Sequence, residues 1–312
     1  MELPGSSPSQ SATDVAQVQS PSRRAIINNG YKTKNVAEVW RGIQTAFSNG
    51  HHEDHELLWW CLCRAVYHGQ SDVVRYLLEH ESVQVDSLYP LRVAASPSTQ
   101  LFQVLVHHGW NINQSDPDHG FSGAQYLLQL VCADESLVRW CLDHGASVED
   151  PGHTDSYHCP PLLEIAADVR TVAIFTPLQS QGAQLSPCNL HRAVGSAAAY
   201  SSDTERLSVR LAMVKYLVDE LGLDINALDT ETQDFNHWET LLCYAARIAH
   251  GGEEVVRFLL GRGADPYVKD CWGVHDAFSL AETVKEFQVF ELLREWWAQT
   301  QQRQRTVAFG GQ

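Results

Sequence analysis

Apolar residues recur at three- and four-residue spacing in five short stretches of the chain. They are SDVVRYLLEHESVQVD from Ser71, LFQVLVHHGWNINQSD from Leu101, SLVRWCLDHGASVED from Ser136, MVKYLVDELGLDIN from Met213 and VVRFLLGRGADPYVKD from Val255. Such spacing places one buried stripe on a helix. Each stripe runs into glycine or a polar break, and then into a short β-type segment. Gly109, Gly145, Gly182 and Gly263 fall where a helix would end in a left-handed residue. A unit that returns after about 30 residues predicts a stacked solenoid, because one such unit cannot bury its apolar faces alone.

A second short helix is expected before each stripe. Tyr89-Pro90-Leu91-Arg92-Val93-Ala94-Ala95 resembles the Thr-Pro-Leu-His-x-Ala-Ala opening of an ankyrin repeat. Looser copies begin at Pro161 (PLLEIAA) and Thr240 (TLLCYAA), and Cys188-Asn189-Leu190-His191-Arg192-Ala193 keeps the histidine. Proline suits the first helical turn, where its missing N–H is not needed. Leucine anchors the helix, and the small pair lets the next helix approach. The resemblance implies an all-α fold: an ankyrin-repeat solenoid of stacked helix-turn-helix units with projecting β-hairpin or loop fingers. It also implies that His191 hydrogen-bonds backbone between units.

Anchors are expected at Leu62, Leu91, Leu127, Leu163, Leu190, Leu242 and Phe278, at intervals of 29, 36, 36, 27, 52 and 36 residues. The longest interval predicts a loop insert over 195–209. Pro177 is expected to shorten or kink its helix. The predicted organisation is a tail rich in Ser, Pro and Gln over 1–22 and an N-terminal capping region over 23–56. About seven irregular units over 57–283 follow, then a capping helix over 284–299 and a polar tail over 300–312.

Composition narrows the function classes. Of 312 residues 44% are hydrophobic, ample for a core, and the net charge is −16. That charge argues against direct nucleic-acid or anionic-membrane binding, both of which rest on Lys and Arg. Apolar runs are too short to span a bilayer, and no secretory signal is evident. The eight scattered cysteines suit a reduced compartment, cytoplasmic or nuclear. No Gly-rich phosphate loop, His-Glu-x-x-His or nucleophile elbow occurs. The His51–Glu56 and His153–Cys159 clusters contain metal-ligand residue types. Their spacing fits no known structural site, so no metal or other cofactor is expected.

The fingers carry the remaining signal. Tyr89, Phe121, Tyr157, His158, Phe235, Trp238 and Trp272 fall in or beside them, and Tyr244 and Arg247 lie on the sixth inner helix. Exposed aromatic groups of this kind anchor protein interfaces. The resemblance implies a non-catalytic scaffold that binds another protein through a concave face and the finger loops. A regulatory adaptor is the natural version, such as a transcriptional co-regulator acting through a DNA-bound partner. The alternative is an atypical enzyme or small-molecule binder built in the groove.

Overall fold

The computed structural model describes residues 30, 39, 41–42, 55–115, 126–149, 161–169, 171–186, 188–199, 203–229, 239–248, 252–270 and 272–309. The chain divides into two compact units, Met1–Val83 and Gln84–Gln312. In the first, positions 30, 39, 41 and 42 are helical. Helices α1 (His55–Tyr67) and α2 (Ser71–His80) pack as a hairpin. Leu58, Cys61, Leu62 and Val66 of α1 are buried with Val73, Val74 and Leu77 of α2. The turn between the helices needs φ +65° at Gly69, a value that glycine adopts without steric penalty.

Among the described residues the second unit holds six helix pairs: α3 (Pro90–Val93) with α4 (Thr99–His107), α5 (Leu127–Leu130) with α6 (Glu135–Asp143), and α7 (Leu162–Val169) with α8 (Val172–Ser180). These are followed by α9 (Cys188–Ala199) with α10 (Thr204–Lys215), α11 (Leu241–Arg247) with α12 (Glu253–Gly261), and α13 (Ala277–Thr283) with α14 (Phe287–Phe309). First helices pack on first helices, α3 on α5 and α7 through α9 and α11 to α13. Second helices form another row, with α6 on α8 and α12 on α14. Isolated antiparallel bridges, Ser115 with Tyr126 and Leu228 with Thr240, close the bases of two fingers. The fold is the all-α solenoid that the repeated phrases predict.

The core follows the anchors. Leu62 and Leu127 are fully buried, and Leu163, Leu190 and Leu242 are each 1% exposed. Removing such a side chain from water stabilises the fold by about 1.5–3 kcal/mol. Ala166, Ala167, Ala245 and Ala246 are completely buried where helix rows meet. Gly109, Gly145, Gly182 and Gly263 take φ between +83° and +100° after their helices.

Four expectations are corrected. Leu91 is 39% exposed rather than an anchor, while Leu88, Pro90 and Val93 are buried. Helix α3 is a single turn, since Pro97 disfavours helical backbone at Ser96, and one turn aims Leu91 outward. The loop insert over 195–209 is largely helical: Ala-rich sequence carries α9 to Ala199, and the Asp203 carboxylate caps α10 by accepting from the Arg206 N–H. Pro177 does not shorten α8, which has nine residues like α4 and α6. The polar tail expected from residue 300 is helical to Phe309, in keeping with its glutamines and arginines.

Candidate functional site

Along the first-helix row, Leu128, Leu163, Leu190 and Leu242 are each 1% exposed, and each is followed by a buried polar residue or thiol. These residues are Gln129, Glu164, His191 and Cys243. From α7 to α11 this step forms a polar seam with the neighbouring fingers. Glu164 Oε1 accepts a hydrogen bond from the Ser186 hydroxyl at 2.6 Å, and its Oε2 lies 3.6 Å from Arg192 Nε. His191 Nε2 stands 3.1 Å from the Ala227 carbonyl, which can only accept, so that nitrogen carries the proton. The inter-unit role expected of His191 is therefore observed.

Asp229 is the centre of the seam. It is 4% exposed, and its carboxylate accepts from two elements at once: Cys188 Sγ donates to Oδ1 at 2.7 Å and the Tyr244 hydroxyl to Oδ2 at 2.7 Å. Its backbone N–H donates to the Glu239 carbonyl at 3.3 Å, and the Glu239 side chain pairs with Arg247. The Arg247 guanidinium sits 5.8 Å from the Tyr244 ring centroid, and the His191 ring meets Tyr244 at 5.4 Å. One buried carboxylate thus ties α9 to α11 and fixes the Tyr244 hydroxyl.

The electrostatics favour positioning over acid–base work. Burial, then the hydrogen bond to Asp229, raises both the Cys188 thiol and the Tyr244 phenol above their ordinary ranges. Both act as neutral donors. Burial also raises Glu164, opposed by Ser186 and Arg192 and reinforced by Asp229. Burial draws Arg247 down from the usual arginine range. The side chains of Arg192 and Arg247 remain 41% and 39% exposed at the seam's solvent edge. A depression of about 490 Å³ lies elsewhere, between α6 and α8, lined by Arg139, Leu142, Ala173, Pro177 and others, none from the seam. Among the described residues, no group of three or more His, Cys, Asp or Glu side chains is arranged to hold a metal ion. No described helix is long and apolar enough to cross a membrane.

The predicted site residues separate into three groups. Tyr244 and Arg247 come together in the seam. Tyr89, at the start of α3, and Trp272, in the last finger, are 38% and 58% exposed. Phe121, Tyr157, His158, Phe235 and Trp238 lie outside the described residues. Sequence reasoning missed Glu164, Cys188, Asp229 and Glu239. Asp229 had a usable signal: it follows Gly222 by seven residues, as Asp270 follows Gly263.

Residues 237–271 match the family model described as ankyrin repeat. The human ASB11 ankyrin repeat domain superposes with a TM-score of 0.52 at 19% identity, over 74% of this chain and 96% of that one. The fold is that of an ankyrin-repeat solenoid. Two further structural matches are looser. The ankyrin repeat protein EF0377 has 18% identity and a TM-score of 0.47, over 66% of this chain and 96% of its own. A chain of the complex between the predatory endopeptidase Bd0816 of Bdellovibrio bacteriovorus and immunity protein Bd3460 has 18% identity and a TM-score of 0.45, over 67% and 98%. No curated protein matches the sequence. The seam accordingly runs along the inner helices of an ankyrin stack.

Proposed function

We propose that this ankyrin-repeat solenoid is a non-catalytic scaffold that takes a partner protein on the inner-helix row and fingers of residues 84–312. The supporting observation is the seam. A buried carboxylate, Asp229, holds Tyr244 in place, and the Arg247 guanidinium sits 5.8 Å from that ring's centroid, its side chain 39% exposed. Preset aromatic and guanidinium groups bind a partner at low entropic expense, which is why such residues dominate interfaces. The contact set is Tyr244 and Arg247 with the finger residues Tyr89, Phe121, Tyr157, His158, Phe235, Trp238 and Trp272. A regulatory adaptor, for instance a transcriptional co-regulator reaching DNA through a bound partner, suits a chain of net charge −16.

Affinity purification from the native cells, with the wild type and an Arg247→Ala, Trp272→Ala double variant, tests this reading. One protein should be retained by the wild type and lost by the variant, and it should bind the wild type again when both are purified. Finding no protein partner, together with stabilisation of the fold by a small molecule, would overturn the scaffold reading in favour of a groove that binds or transforms metabolites.

A further inference from the structure

Ten large apolar side chains stand exposed among the described residues, and five of them fall between positions 267 and 297: Tyr267, Trp272, Val274, Phe287 and Trp297. Ring contacts join part of this group into one surface. Tyr267 stacks on Phe278 with centroids 5.4 Å apart, meets Trp297 edge-on at 5.0 Å, and Phe278 meets Phe290 at 6.2 Å. Tyr267 is 44% exposed and Trp297 40%. Scattered apolar residues at a surface are ordinary, whereas a joined aromatic patch marks a contact site.

The finger phrases show what is unusual about Tyr267. Four residues after its turn glycine, Asn113 donates through Nδ2 to the Gly145 carbonyl at 3.0 Å and accepts at Oδ1 from the Ser147 N–H at 2.7 Å. At the same step Asn226 accepts from the Asp265 N–H at 2.8 Å and donates to the Gly263 carbonyl at 3.4 Å. Each asparagine thereby seats the following turn. After Gly263 the same step is Tyr267, so an aromatic ring 44% exposed stands where these two turns have an asparagine, and it packs on Phe278 and Trp297 of the α13–α14 pair.

Charge identifies what this face fits. Residues 265–300 contain seven acidic and three basic side chains, and Arg294 is already paired with Glu291 at 2.7 Å. The Asp265 carboxylate accepts from the Tyr267 N–H at 2.9 Å, and burial, then the Asp265 and Asp276 carboxylates, raises the Tyr267 phenol. A second copy would set one acidic rim against another. A cationic side chain, by contrast, can lay its aliphatic stem on the rings and its charge near the carboxylates.

We propose that the face formed by Tyr267, Phe278, Phe290 and Trp297 docks a basic linear segment of a partner protein, with arginine or lysine side chains over the exposed rings. This surface is separate from the seam, so Arg247→Ala leaves it intact. The test uses the full chain near physiological salt, titrated with a short synthetic arginine–glycine peptide and a glutamate–glycine peptide of equal length, followed by calorimetry. The arginine peptide should bind saturably, about tenfold more weakly to Tyr267→Asn and to Trp297→Ala, and the glutamate peptide should not bind. Tyr267→Asn installs the residue found at the steps after Gly109 and Gly222; should it lower the melting temperature, Trp297→Ala carries the comparison. Equal affinity in wild type and both variants would assign binding to overall acidity and overturn the proposal. So would a concentration-dependent dimer, seen by sedimentation and abolished by Tyr267→Asn, because the occupant would then be a second copy.

Discussion

Asp229 shows how one side chain can govern a site that it never exposes. Its two oxygens accept from Cys188 and Tyr244, which come from different helices. Asp229→Ala removes the acceptor of a buried thiol and a half-buried phenol, and it should lower unfolding free energy by about 1–3 kcal/mol, read from urea midpoints. Asp229→Asn keeps an acceptor and should lower it less. The sequence disclosed half of this arrangement. Tyr244 was visible because aromatic residues near fingers stand out, and His191 because it keeps the family pattern. Asp229 looked like one more acid in an acidic chain, since its role depends on the fold bringing Cys188 across 41 residues to reach it.

At the scale of elements, the apolar periodicity was legible in most helices of two turns or more. It failed at α3, α9 and α10. Helix α3 is one turn long, too short for periodicity to say which way Leu91 points. Helices α9 and α10 are twelve residues each, and their added turns were hidden by small and polar residues that read as a loop. Helix α8 is a third case, where a breaker is tolerated. Pro177 offers no N–H to the Ala173 carbonyl, so α8 spans nine residues with one bond fewer. Pro177→Ala restores that bond and should raise stability by about 1–3 kcal/mol, part of it offset by the freer unfolded chain, measurable as a higher thermal midpoint.

For the whole molecule, the polar seam sets an alkaline limit. Cys188, Cys243 and Tyr244 are all raised above reference values of 9.0 and 10.0, and burial pushes Cys141 up to about 12. Above pH 9 the unfolded chain releases protons that the folded chain retains, so unfolding is favoured as pH rises. Denaturant midpoints should be level near pH 8 and fall steadily by pH 10.5; a level profile would show that these groups ionise freely in the fold. Solenoid architecture was the most legible property of all, because repetition reports it several times over. The seam also bears on how such a chain can change over generations. Cys188, Asp229 and Tyr244 come from successive units, so a crossover anywhere between positions 188 and 244 parts an acid from one of its donors. Units that look interchangeable by pattern are, over that stretch, inherited as a single block.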